Sequence, residues 1–507
     1  MTGLDLLIIV VYLTGTLWLG FSLTRKQLTI REYFTSGRQA PWGLIMFSIV
    51  ATETSTVTIV SLPGFAFDNN LTFLQLVFGY LLGRLLISWL LLPSYFKGEY
   101  LTAYQILTER YGLGVRRLAA GIFLFTRNIA DGFRLFSTGL VVAAALLTLP
   151  GATALAHSMF PTLSATTVLT IGSLLSLSVI TIIYTSLGGM TAVLWTDFLH
   201  LVVYMGGTVL AGIALYNLIP GGLNEIIETG TASGRFQIFD FSFELNRNYT
   251  FWSGLVGGTC LTMATHGTDQ LIVQRYLCSR TQADARKALL LSGFAVLVQF
   301  LLFLFIGVML FVFYTDYSPN WLPSMSVKDS LPPDRVFPAF IVSQLPNGLR
   351  GLLVAAVIAA AMSTLSSSLN ASASATIVDF YIPATRSTPK AQDYLKIAKR
   401  STVVWGLVQL LVACAAIRFS QRVIDEVLGI SSFTSGLILG MFLLTMSGSR
   451  RNLAAYTGIG SGALTMTWIR LFSDFSWQWY VLIGAVSTFL AGRFVEFIQT
   501  RLFSHEP

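Results

Sequence analysis

The residues best suited to chemistry lie between Ser48 and Thr58. This stretch carries Ser48, Thr52, Thr54, Ser55, Thr56 and Thr58 around the carboxylate of Glu53, six hydroxyls and one acid in eleven residues, and Leu62-Pro63-Gly64 follows it. Ser and Thr divert backbone hydrogen bonds to their own side chains. A helix through this stretch is therefore expected to unwind and expose carbonyl oxygens, ligands that serve a hard monovalent cation well. The other reading is a Ser/Thr-rich seam between packed helices, and this segment alone does not choose.

A second oxygen-rich stretch runs from Ala359 to Ser374. At helical spacing Ala360, Ser363, Thr364 and Ser367 fall within an arc of about 100°. Asn370 and Ser374 continue the stripe toward Asp379. The small residues admit a neighbouring backbone and the hydroxyls offer neutral oxygens, so the stripe reads as half of a cation site with a polar exit path below it.

Other polar groups sit where an apolar environment makes them expensive. Asp197, just after Gly188-Gly189, either coordinates a second cation or caps a helix. Arg127, Asp131 and Arg134 are spaced to neutralise one another on one helical face; if Arg134 is instead free, it can meet a substrate carboxylate with a two-pronged contact. The stretch from Gly257 to Gln270, with Thr262, Thr265 and His266, reads as a second broken helix. His266 is either a hydrogen-bonded structural residue or a proton relay.

The elements that position these groups are membrane helices. Of 507 residues, 54% are hydrophobic and 11% charged, and mean hydropathy is +0.69. Soluble domains carry about 25% charged residues, which excludes a water-soluble enzyme of this length. Thirteen apolar segments are expected, at 6–23, 41–66, 72–96, 118–149, 166–187, 192–216, 251–276, 288–314, 351–380, 401–418, 424–447, 452–470 and 475–498, each near the ~20 residues a span requires. The first reads as a retained helix rather than a cleaved signal.

Odd parity puts the termini on opposite sides. With the N-terminus outside, 21 Lys and Arg fall in inward loops and 8 in outward ones, and positive charge stays on the cytoplasmic side. This orientation, in a plasma or inner membrane, is the expectation. The net charge of +8 is thus topological rather than a nucleic-acid footprint. Every inward loop is short, leaving no room for a soluble catalytic module. The three cysteines, Cys260, Cys278 and Cys414, form no metal or disulfide pattern. No HExxH, GxSxG or intramembrane aspartate pair is present, so no enzyme is expected.

The two interrupted segments, second and seventh, lie five apart, the pointer to an inverted-repeat carrier with a midplane site. Five stretches occur in order: Ser48 to Gly64, Leu92-Pro93 through Tyr104 to Gly112, Tyr184 to Asp197, Gly267 through Asp269-Gln270 to Gln274-Arg275, and Ala361-Met362-Ser363-Thr364 through Asn370 to Asp379-Phe380-Tyr381. Together they resemble the solute:sodium symporter family. The resemblance implies an all-α, leucine-transporter-type membrane fold in one transporter domain. An extra helix would occupy 1–24, inverted five-helix repeats 41–216 and 251–447, and two further helices 452–498.

It also implies a main sodium site from the Ala51 and Thr54 carbonyls, the Ala360 carbonyl and the Ser363 and Thr364 hydroxyls. A second site, as in some sialic acid carriers, would use Asp197, Ser363, Ser366 and Ser367. The function implied is sodium-coupled uptake, by alternating access, of a small organic solute such as a sugar, sialic acid, amino acid or monocarboxylate, with sodium as coupling ion and no other cofactor. The solute is expected near Glu53, Thr56, Thr58, Thr262, Thr265, His266 and Arg134. Glu53 stands where proline carriers have an aspartate, and the sugar carriers' polar set is not reproduced, so the solute stays open. Rival readings are a proton-coupled carrier using Glu53, Asp197 and His266, and a transporter-like sensor.

Overall fold

The computed structural model describes residues 1–24, 27–317, 333–385, 391–419 and 421–503. Arg25, Lys26, Lys328, Arg386 and Lys390, used in the charge count above, lie outside the described residues. The principal helices are α1 (Gly3–Ser22), α2 (Trp42–Glu53), α3 (Thr56–Asp68), α4 (Leu74–Leu90), α5 (Gln105–Leu146), α6 (Ala165–Asn217) and α7 (Gly258–Gly267). They continue with α8 (Gln270–Leu277), α9 (Gln282–Val312), α10 (Leu349–Ala375), α11 (Ala391–Ala416), α12 (Gln421–Met446), α13 (Asn452–Phe472) and α14 (Tyr480–Phe503). Among the described residues the sole β contact is an isolated bridge between Ala40 and Ser279.

All thirteen apolar segments are helical. Among the described residues seven helices are individually long and apolar enough to cross a membrane, and α2 with α3, bent by 64°, makes an eighth. The expected fifth and sixth segments are both within α6, whose helical geometry is interrupted at Gly189 (φ 58°, ψ −153°). Glycine is required there twice over: the left-handed φ disfavours a side chain, and a Cβ would lie 2.6 Å from the Tyr33 carbonyl oxygen.

The hub of the molecule is α10. Every residue from Leu353 to Ala375 is buried, as expected of a helix apolar or small on all sides. It packs against α6, α5, α11, α1 and α2. The first helix docks on its start through Asp5, whose carboxylate accepts the Gly348 and Gly351 N–H groups at 2.7 and 2.9 Å. The seventh segment divides into α7 and α8 at Thr268–Asp269, where Asp269 accepts the Leu271 N–H at 2.8 Å and caps the second half.

Candidate ion and solute site

Between α2 and α3 the chain runs extended through Thr54 and Ser55. Ser55 caps α3: its Oγ accepts the Thr58 N–H at 3.4 Å, while its own N–H turns to Thr58 Oγ1 at 3.4 Å. In a continuous helix those two N–H groups would bond the Thr54 and Ala51 carbonyls. The break therefore removes the helical partners of the two carbonyls expected to hold sodium. Beside them Gln299 donates to Thr54 Oγ1 at 2.6 Å, and Gln299 Oε1 is buried with no hydrogen-bond partner. Acceptor oxygens without donors suit a cation.

The oxygen stripe of α10 faces this break. Thr56 Oγ1 donates to the Val357 carbonyl at 3.2 Å, and Thr52 Oγ1 lies 3.1 Å from Ser367 Oγ. Ala51 and Ala360 share one buried cluster. Ser363 and Thr364 lie between these anchor points; Thr364 Oγ1 donates to the Ala360 carbonyl at 3.2 Å. All five main-site residues are buried.

Asp197 lies inside α6 and caps nothing. Its Oδ1 accepts the Ser363 hydroxyl at 2.7 Å. Its Oδ2 accepts Ser48 Oγ at 2.5 Å, Thr52 Oγ1 at 3.3 Å and Arg275 Nη2 at 2.9 Å. The same guanidinium bonds Thr52 and Ser367 and reaches Ser48 Oγ through Nε at 2.8 Å. Ser366 turns away, donating to the Ser363 carbonyl at 3.1 Å. Arg275 has no place in the expected ligand set, yet it occupies the centre of this cluster.

Glu53 ends α2, where a negative charge opposes the helix dipole. It is compensated by Arg84, which bonds it directly, and by His266 Nε2 at 3.3 Å. Arg84 also donates to Ser292 Oγ at 3.3 Å, so the group ties α2 to α4, α7 and α9. On α5, Arg134 Nη1 donates to Asp131 Oδ1 at 2.6 Å; Arg127 lies 3.7 Å from Asp131 and 3.2 Å from Asp269. The expected neutralising set exists, with Asp269 as a fourth member.

Arg134 borders two cavities. One, of about 10 Å³, is lined by Ser55, Thr56, Thr364 and Thr138; the other, of about 180 Å³, by Thr126, Arg127, Thr265, Asp269 and Ser432. Of the residues expected near the solute, Thr56, Thr265 and Arg134 line these spaces. Thr58 bonds Ser55, Thr262 packs on Gly83, and Glu53 and His266 are held by Arg84.

The family model described as "Sodium:solute symporter family" matches residues 33–465, most of the chain. The chain belongs to the sodium:solute symporter family. Its function is accordingly sodium-coupled solute symport, and the family is one of multi-pass membrane transporters. The human sodium/iodide cotransporter is 29% identical over 457 residues, 90% of this chain and 67% of that protein. The sodium/sialic acid symporter of Proteus mirabilis is 27% identical over 489 residues, 95% of this chain and 92% of that one. A solved substrate-bound, outward-open Na+-coupled sialic acid symporter superposes with a TM-score of 0.84 at 25% identity, covering 98% of each chain.

The fold is thus the leucine-transporter-type helical architecture that the resemblance implied, with sodium as the coupling ion of this symporter. Sequence reasoning missed Arg84, Arg275 and Gln299. Arg84 is visible in the sequence only as a charge within an apolar segment, and Arg275 counts there among the inward-loop cations, whereas the structure buries it at 1% exposure against Asp197.

Proposed function

We propose that this symporter carries a small organic anion inward with sodium, the ion held by the Ala51, Thr54 and Ala360 carbonyls and the Ser363 and Thr364 hydroxyls. The observation that carries the ion site is the break at Thr54–Ser55, where two carbonyls lose their helical donors against the α10 hydroxyls. Coupling follows if sodium joins α2–α3 to α10 in the outward-open state and its departure releases them. The orientation with the N-terminus outside, a plasma or inner membrane, and repeats at 41–216 and 251–447 complete the reading.

For the solute, Arg134 is the best-placed anchor. Its Nη1 binds Asp131, its Nε and Nη2 make no hydrogen bond among the described residues, and its side chain is 30% exposed at the junction of the two cavities. A guanidinium with donors to spare suits a carboxylate. The relatives named above carry iodide and sialic acid, both anions.

One sodium falling through ~100 mV supplies about 2.3 kcal/mol, and a tenfold gradient adds roughly 1.4 kcal/mol. For a monovalent anion carried with one sodium no net charge crosses, so the electrical term cancels and the gradient alone supports about tenfold accumulation; a second sodium restores the electrical term. Uptake into proteoliposomes, with sodium replaced by choline at fixed pH, tests the coupling; a thermal-shift screen of short carboxylates with and without sodium identifies the solute. Uptake that persists in choline and follows an imposed proton gradient would overturn the reading.

A further inference from the structure

We propose that Arg275 and a second sodium ion are alternative occupants of the Asp197 carboxylate, so that the chain carries a built-in cation holding this position whenever the ion is away. The inference rests on the sodium-coupled reading above and concerns only the second ion.

The geometry places the guanidinium where that ion would have to sit. Asp197 and Ser367 belong to the ligand set that the family resemblance implies, and Arg275 bonds both, along with Ser48 and Thr52. Asp197 and Arg275 are buried, at 0% and 1% exposure. A planar fork with five donors matches a ring of hydroxyl and carboxylate oxygens in a way a point charge does not.

Charge decides between joint and alternative occupancy. Within this cluster the charges are one carboxylate and one guanidinium. The neighbouring acid, Glu53, is already compensated by Arg84 and His266. The cluster is therefore neutral as it stands. Admitting a monovalent cation with the guanidinium in place leaves a positive charge unbalanced in the interior, which low dielectric penalises heavily. Withdrawing the guanidinium as the ion enters keeps the cluster neutral at both stages.

The placement of Arg275 gives it a means of withdrawal. It sits on α8, the eight-residue half-helix beyond the break at Thr268–Asp269, whereas Asp197 and Ser367 sit on the long helices α6 and α10. A shift of α8 relative to α10 breaks this contact together with the two other bonds that join them, Gln274 Nε2 to Asn370 Oδ1 at 2.7 Å and Gln270 Nε2 to Ser374 Oγ at 3.2 Å. The second ion then binds only the fraction of molecules with the guanidinium withdrawn, so its apparent affinity is lowered by that fraction.

The test is equilibrium binding of radiolabelled sodium to the purified full chain, read beside the sodium-dependent shift in Tm. Arg275→Gln is expected to bind the second ion at least tenfold more tightly, steepening the sodium titration from a slope near one toward two. Adding Asp197→Asn to that variant should abolish the gain. Arg275→Lys keeps the charge but cannot reach Ser48, Thr52 and Ser367 together, so a gain of a few-fold is expected there, and this variant carries the test if Arg275→Gln does not fold. An unchanged or weakened second ion in a folded variant overturns the proposal and makes Arg275 a clamp for the ion instead. Absence of any sodium binding in the unaltered chain would sink the sodium-coupled reading and this inference together.

Discussion

Thr56 Oγ1 donates to the Val357 carbonyl at 3.2 Å, so the half-helix α3 hangs on α10 by its first residue, one step beyond the break that frees the Ala51 and Thr54 carbonyls. A cation seated between them would bridge two elements already in register, and the hydroxyls proposed as its ligands, Ser363 and Thr364, are nearly two turns of α10 further on.

Thr364→Ala removes an oxygen that bonds the Ala360 carbonyl, whereas Ser363→Ala takes the donor from Asp197 Oδ1. Both are expected to weaken sodium at least tenfold, about 1.4 kcal/mol, in sodium-dependent uptake. Normal expression and an unchanged Tm without sodium should accompany the loss. A sodium dependence that is unaltered in Thr364→Ala would remove the main site from its proposed place.

Glu53 and Arg84 form a nearly dry pair at the broken end of α2, with side-chain exposures of 12% and 1%. Removing one charge from such a pair typically destabilises by about 3–5 kcal/mol because the other is stranded. Glu53→Gln and Arg84→Met are each expected to lower the Tm in detergent markedly, while the double variant recovers most of the loss. Additive losses in the double variant would mean that the pair is not coupled.

Much of this site was legible in the chain, because its logic is local. The density of hydroxyls from Ser48 to Thr58 left an interrupted helix and a packed Ser/Thr seam both open, and the break at Thr54–Ser55 decides for the first. The 3.6-residue period of Ala360, Ser363, Thr364 and Ser367 implied one polar face on a small-residue helix, and α10 is the buried hub. What stayed hidden was pairing at a distance. Arg275 and Asp197 are 78 residues apart, Arg116 and Asp379 are 263 apart, and no periodicity links the members of either pair. Position alone left Asp197 as a possible cap because interface and interior differ by neighbours on other helices. Span counting was hardest where a helix is short or continuous: α4 falls below membrane length, and α6 runs two segments together through Gly189.

Arg134 is the residue on which the solute prediction turns. Arg134→Lys retains the charge near Asp131 but loses the fork, so a carboxylate solute should show a KM raised about tenfold, roughly 1.4 kcal/mol, with little change in maximal rate. An uncharged solute of similar shape should be affected far less. Competition uptake assays with a matched carboxylate and its amide separate the two cases. Equal sensitivity of acid and amide would show that Arg134 does not read the anion.

The far end of α10 is secured by a second buried ion pair. Arg116 Nε donates to Asp379 Oδ1 at 2.6 Å, its Nη2 donates to the Val378 carbonyl at 2.7 Å, and Thr102 Oγ1 reaches the same Oδ1 at 2.8 Å. The loop before α5 is held at this point too, since Leu101 and Ala103 donate to Gln105 and Gln270 at 2.6 and 2.7 Å. Arg116→Ala leaves Asp379 stranded and unties the loop from α10, a change expected to destabilise by about 3–5 kcal/mol. Hydrogen exchange should quicken at the 101–103 amides before the rest of the bundle, because their acceptors lose a fixed support. The exchanged pair Arg116→Asp with Asp379→Arg should restore part of the protection, since attraction survives although the contacts to Thr102 and Val378 do not. Protection at 101–103 that is indifferent to Arg116→Ala would mean the loop is held by Gln105 and Gln270 and that the ion pair serves only to neutralise Asp379.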